Sequence, residues 1–189
     1  MIRLTDEQVM FEDSLVKAIG RTSPLEKVQA LDAAKTFDAD LHATLAELGV
    51  WGLGVDEQSG GSGGGNTEQI IALRALGNMA TSMAVFCVVQ FMVTRLLKDN
   101  ANDEQKKTFL EPLAAGRTKA SFCLTEAAGG TDILRAMKTR AVKRDGMYRI
   151  TGSKMWISGA STSDFYVVLA RPSEGKTEGV SMLLVPAAA

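Results

Sequence analysis

The chain has 189 residues, 46% of them hydrophobic and 23% charged. That composition can bury a sizeable core in one large domain or two small ones, and it excludes disorder. The net charge of −1 leaves no electrostatic footprint for nucleic acid, and two cysteines 36 positions apart with a single histidine exclude a zinc site or a disulfide framework.

Residues 1–118 read as helices. Thr5 stands three positions before Gln8, the spacing of a capping box, and Leu4 with Val9 suits a hydrophobic staple across the same start. Val9, Leu15, Val16 and Ile19 form an imperfect helical stripe, and Gly20 is a stop signal. Further helices are predicted over residues 37–48, ending at Gly49, and over residues 67–76. Residues 79–97, MATSMAVFCVVQFMVTRLL, are long enough to span a bilayer. Thr81, Ser82, Gln90, Thr94 and Arg95 interrupt the run, so a helix buried in a helical domain is expected, with no membrane partner. Asn102 and Gln105 repeat the capping-box spacing for a helix through Leu113, which Pro112 shortens.

Residues 119–189 change character. Short runs rich in β-branched and aromatic residues fall at 120–124, 136–144, 147–151, 154–158, 165–170 and 180–185. Asp145-Gly146 separates two of them as a hairpin turn would. The expectation is an α+β chain: an all-α domain over 1–118, then an incomplete antiparallel β-domain over 119–189 that leaves an unpaired edge. Charge divides at the same point. Residues 1–118 carry 11 basic and 16 acidic side chains, and residues 119–189 carry 10 basic and 6 acidic. A basic β-half favours a phosphate-bearing small ligand, although such a bias taken alone is more often uneven surface charge.

Two glycine-rich stretches differ in content. Residues 60–65, GGSGGG, lack the GxGxxG spacing and any following Lys-Ser or Lys-Thr, so they are expected to be a flexible connection between helices. Residues 122–132, FCLTEAAGGTD, run from a short strand into a loop with two threonines, two carboxylates and adjacent glycines. Such a loop can hold a polar or phosphorylated ligand, and it can equally be a plain turn. Residues 152–160 read GSKMWISGA. If they form a strand, Trp156 and Ser158 share a face, and a flat ring beside a hydroxyl suits a heteroaromatic ligand. A Trp packed in the core is the plainer alternative.

Together these two segments resemble the acyl-CoA dehydrogenase family. The family's middle domain carries a strand leading into Thr-Glu-Pro, small residues, Gly, Ser and Asp, which stands here as FCLTEAAGGTD. About thirty residues later it carries a Gly-x-Lys-x-Trp-Ile-Thr segment, which stands here as GSKMWIS. The LTDEQ opening, the glycine-rich link, the long apolar helix and DEQKKTFLEPL extend the resemblance over the whole chain. It implies a helical N-terminal domain, a middle β-domain and a C-terminal helical domain. It also implies bound FAD and oxidation of an acyl-CoA to the trans-2-enoyl-CoA, with a carboxylate removing the α-proton as the β-hydrogen leaves as hydride. Electrons would pass to an electron-transfer flavoprotein or similar acceptor, and the full-length parent would be a homo-oligomer.

Carried over by position, the resemblance implies that Phe122, Leu124 and Thr125 contact the flavin ring. Gly130 and Thr131 would meet the FAD pyrophosphate, Thr131 also the CoA, and Trp156, Ile157 and Ser158 would lie beside the isoalloxazine. Val88, Phe91 and Met92 would wall the acyl pocket, although helix packing explains them as well. Ala127 replaces the family proline, Thr131 a serine and Ser158 a threonine. The last two keep their hydroxyls. No residue matches the family's catalytic glutamate or a metal ligand, and Glu126 belongs to the loop motif. The chain is therefore expected to be a fragment or truncated product, inactive alone. The alternative is a non-catalytic partner subunit of the same fold, and an oxidase or monooxygenase of that fold is a third reading. No basic and apolar leader opens the chain, so the cytoplasm is the expected compartment.

Overall fold

In the computed structural model, residues 3–129, 132–172 and 179–189 are described. They form two compact units, Met1–Lys119 and Ala120–Ala189.

The first unit is helical: α1 (Asp6–Thr22), α2 (Leu25–Ala34), α3 (Ala39–Glu47), α4 (Asn66–Met79), α5 (Thr81–Asn100), α6 (Asp103–Gln105) and α7 (Glu111–Ala114). The Thr5 capping box is present. The Gln8 amide donates to Thr5 Oγ1 at 3.2 Å, and the Thr5 amide donates to Gln8 Oε1 at 3.0 Å. Such a cap stabilises the helix by about 1 kcal/mol. The buried stripe of α1 is Leu15, Ala18 and Ile19; Val9 and Val16 face outward, and the helix continues past Gly20 to Thr22.

Helix α2 has no counterpart in the periodicity. It buries no residue completely, starts after Pro24 and ends at Lys35 in the left-handed region, so its sequence shows neither a clean stripe nor a glycine stop. Asn102 and Gln105 form their capping box, but the helix then widens. A π-helical segment, Lys106–Leu110, precedes α7, and the Glu111 amide donates to the Lys106 carbonyl five residues back. Pro112 falls in the first turn of α7, where its missing N–H is tolerated.

Helix α1 packs on α4 and α4 on α5. Their buried faces meet Leu41, Leu45 and Trp51 in one core. Trp51 Nε1 donates to the His42 carbonyl at 3.0 Å, its ring stacks on His42, and Phe86 meets it edge-on. Helix α5 is long and apolar enough to cross a membrane by length and composition. Here Met83, Phe86, Cys87, Gln90, Val93 and Leu97 on one face are buried.

The glycine-rich stretch is a packed element rather than a flexible connection. Gly54 donates to the Gly63 carbonyl at 2.8 Å, Ser62 to Gly52 at 3.0 Å and Gly63 to Val55 at 2.9 Å. A Cβ on Gly61 would lie 2.1 Å from the Val55 carbonyl oxygen, so only glycine lets the two backbones approach.

The second unit holds β1 (Ala120–Cys123), the short helix α8 (Ile133–Ala136), β2 (Arg140–Arg144), β3 (Met147–Thr151), β4 (Phe165–Ala170) and β5 (Ser181–Pro186). Asp145 and Gly146 both take positive φ and close the β2–β3 hairpin, as the Asp-Gly signal predicts. Antiparallel pairing holds for β2–β3 and β4–β5. Strand β1 instead runs parallel to β4, Ala120 opposite Phe165 and Cys123 opposite Val168. The long connection between them permits the crossover that a parallel pair needs. The hairpin joins the end of β4 through backbone bonds from Ala141 to Arg171 at 2.8 Å and from Arg171 to Thr139 at 2.9 Å.

Candidate functional site

The two motif segments of the second unit lie side by side. Strand β1 ends at Cys123, and residues 124–129 leave the sheet as a loop. Against that loop runs the segment that begins at Gly152. The Met155 amide donates to the Thr125 carbonyl at 3.0 Å, and Lys154 Nζ donates to the Leu124 carbonyl at 3.1 Å. Further along, Ser121 Oγ bonds the Ser158 carbonyl at 2.7 Å and shares a second 2.7 Å bond with Ser163 Oγ. These bonds bring Leu124, Thr125, Trp156 and Ser158 into one neighbourhood, across thirty residues of sequence.

Residues 154–158 do not form the strand expected of them. Trp156 adopts φ +58°, a left-handed conformation that breaks the alternation of faces, so the shared-face argument for Trp156 and Ser158 fails. Nor is Trp156 packed in the core: it is 84% exposed. A left-handed conformation costs a bulky residue roughly 1–3 kcal/mol. The chain thus holds a large flat ring outward at an energetic cost that no burial of the ring offsets. Ser158 is also exposed, and Phe122, Leu124, Thr125 and Ile157 are half-buried.

Beneath them lies a buried ion pair that the motif reading did not single out. Glu126 is 5% exposed and accepts four hydrogen bonds. The donors are the Lys138 amide at 2.6 Å, the Thr139 amide at 3.0 Å, Thr139 Oγ1 at 2.6 Å and Lys154 Nζ at 2.8 Å. Burial raises its carboxyl pKa, but Lys154 and the Thr139 and Lys138 donors outweigh it and hold the group at about 2. So weak a base, with both oxygens engaged, is unsuited to removing a proton. Cys123 is no candidate nucleophile either, since burial pushes its thiol pKa up, with Lys154 opposing only in part. A glutamate in one apolar segment and a lysine in the other was the sequence signal for the pair.

The other expected residues divide. Gly130 and Thr131 lie outside the described residues. Val88, Phe91 and Met92 belong to the first unit. Val88 and Met92 are 49% and 40% exposed on α5, whereas Phe91 is 7% exposed and packs in the helical core. Phe91 and Met92 do line a cleft of about 220 Å³ with Leu53, Gln69 and Thr94. Among the described residues no cluster of His, Cys, Asp or Glu is placed to hold a metal ion.

The same division runs through the comparisons with known proteins. Residues 5–117 match the family model "Acyl-CoA dehydrogenase, N-terminal domain", and residues 121–189 match "Acyl-CoA dehydrogenase, middle domain". The short/branched chain specific acyl-CoA dehydrogenase of Bos taurus is 31% identical over 183 residues, covering 96% of this chain and 42% of that protein. The structure of butyryl-CoA dehydrogenase from Megasphaera elsdenii superposes with a TM-score of 0.89 at 28% identity, covering 99% of this chain and 50% of that one. A glutaryl-CoA dehydrogenase from Mycobacterium smegmatis, in complex with FADH2, gives 0.83 at 25% identity over 97% of this chain and 46% of that one. The chain thus spans about half the length of the proteins it matches. Both units, and both motif segments that the second unit brings together, fall within matched regions: the chain belongs to the acyl-CoA dehydrogenase family.

Proposed function

We propose that this chain supplies the flavin-contacting half of an FAD-dependent acyl-CoA dehydrogenase. The observation that carries the reading is the outward, left-handed Trp156 held beside Thr125. The donor set fits the cofactor: a flat indole face, and the hydroxyls of Thr125 and Ser158, match a ring with a π face and polar acceptors along its edge. Leu124, Phe122 and Ile157 would give the ring an apolar floor. The FADH2 complex of the glutaryl-CoA dehydrogenase supports the same reading.

When bound, FAD supplies a hydride acceptor for the α,β-oxidation of a CoA thioester. This chain's own residues hold and orient. Trp156 would present its face and Thr125 and Ser158 would donate hydrogen bonds, while the family resemblance assigns Thr131 to the phosphate-bearing parts of cofactor and substrate. Val88 and Met92 offer apolar surface to an acyl chain. Glu126, ionised and fully bonded, keeps the loop in place and takes no proton. An electron-transfer flavoprotein or a similar acceptor would take the electrons, and the full-length parent would be a homo-oligomer.

Binding is read directly. In a Trp51→Phe background, Trp156 is the remaining tryptophan. Titration with FAD should quench its fluorescence saturably, and flavin absorption bands should survive removal of free ligand. No quenching and no retained flavin would overturn the reading. A second reading, a non-catalytic partner subunit of the same fold, draws on Glu126, whose engaged carboxylate cannot serve as the base. Oxidation of acyl-CoAs with an artificial acceptor separates the two: turnover favours the enzyme, and flavin retention without turnover favours the partner.

A further inference from the structure

We infer that Glu126 is a positioning residue for the flavin-contacting side chains: with Lys154 and Thr139 it forms a clamp that sets where Thr125 and Trp156 stand. The inference rests on the FAD reading above and deepens it.

The clamp joins three pieces of chain. Glu126 sits one residue beyond Thr125. Through Lys154 Nζ it reaches the segment two residues before Trp156, and through the Thr139 amide and hydroxyl and the Lys138 amide it reaches the chain entering β2. That last piece is tied to the sheet. Arg171, at the end of β4, donates its amide to the Thr139 carbonyl at 2.9 Å and its Nε to the Met137 carbonyl at 3.2 Å. The loop therefore takes its position from the parallel β1–β4 pair at one end and from the β4 terminus at the other.

Trp156 is bracketed by the same bonds. Lys154 and Met155 are anchored to Leu124 and Thr125 on one side, and the Ser158 carbonyl is anchored to Ser121 on the other. A residue in a left-handed conformation stays there only where its surroundings over-determine it. Gly152 tightens the bracket, because a Cβ there would lie 2.4 Å from Thr139 Oγ1 and 2.7 Å from Thr139 Cα. A buried ion pair is a poor source of net stability, since an apolar pair of similar volume often does as well. Its place between the two segments, with one partner beside Thr125 and the other beside Trp156, is what a positioning role requires.

The test uses Glu126→Gln and Lys154→Met in the Trp51→Phe background. Lys154→Met leaves Glu126 its three other donors and keeps the test open if Glu126→Gln fails to fold. Fluorescence anisotropy of Trp156, read without FAD, should drop in both variants while far-UV circular dichroism is unchanged, and FAD affinity should fall at least tenfold. The control is Asp38→Asn in the helical unit. It breaks a comparable network with Ser23, Lys27 and Leu41, and should lower stability while leaving Trp156 anisotropy and FAD affinity unchanged. Unchanged anisotropy in a folded Lys154→Met variant would overturn the clamp. Because that arm needs no cofactor, failure of the parent to bind FAD would count against the functional reading and not against the clamp.

Discussion

The two tryptophans of this chain are used in opposite ways. Trp51, in the helical unit, is 1% exposed, stacked on His42 and bonded through its indole nitrogen. Trp156, in the β unit, is 84% exposed and held in a left-handed conformation. The first is a packing residue whose whole surface contributes to stability. The second contributes almost none of its surface and adds strain. A large aromatic ring that does not stabilise the fold is what the proposed flavin contact requires.

The contrast extends to charge. In the helical unit the ion pair Arg95–Asp99 is largely exposed, where such a pair is worth little. In the β unit the Glu126–Lys154 pair is buried, so breaking it leaves a charge without a partner.

The largest expected effect sharpens the tryptophan comparison. Trp51→Ala should destabilise the helical unit by about 3–5 kcal/mol in urea denaturation followed by circular dichroism, the usual cost of emptying such a site. Trp156→Ala should cost nothing comparable and should instead abolish flavin retention. Equal losses of stability would erase the distinction.

Acid comes next. The Glu126 carboxyl lies at about 2 against an ordinary 4.5, so its contribution is complete above pH 4.5 and is lost as the pH falls toward 2. The displacement corresponds to about 3 kcal/mol. Asp38 and Glu68 in the helical unit are also lowered, so overall unfolding would mix the two units. Trp156 anisotropy in the Trp51→Phe background reports on the β unit alone; because the folded carboxyl stays ionised until the pH nears 2, it should hold steady through pH 4.5 and fall only toward pH 2. A decline centred on the ordinary carboxyl value of 4.5 would contradict the assignment.

Gly152→Ala should cost roughly 1–3 kcal/mol by overpacking against Thr139, and it should reduce FAD affinity as well. A loss of stability with intact affinity would detach Gly152 from the site. The smallest effect has the opposite sign. Trp156→Gly places in the left-handed region the residue that adopts it freely, and should raise stability by up to about 1 kcal/mol while flavin is no longer retained. A destabilised variant would mean that the Trp156 ring packs more than its exposure implies.

Local signals were legible. The Thr5–Gln8 and Asn102–Gln105 capping boxes stand where the spacing places them, because each is complete within four residues. The Asp145-Gly146 turn did likewise, since both residues tolerate positive φ. The long apolar run became α5. Helix α2 escaped because it rests partly buried on the helical core and so shows no full stripe. The GGSGGG stretch misled for the converse reason. Glycine composition looks flexible in isolation, and it became rigid only where Gly61 met Val55 across the turn.

The two motif segments could be found from the order of residues, because their residue types and separation are one-dimensional facts. Residue order also predicted the helical and β halves, since hydrophobic period is a local property. The parallel direction of β1 against β4, the left-handed turn at Trp156 and the bond from Glu126 to a lysine 28 residues away were not available in that form. Each depends on which distant backbone arrives alongside. A carboxylate becomes a clamp only when folding removes it from water and sets four donors around it.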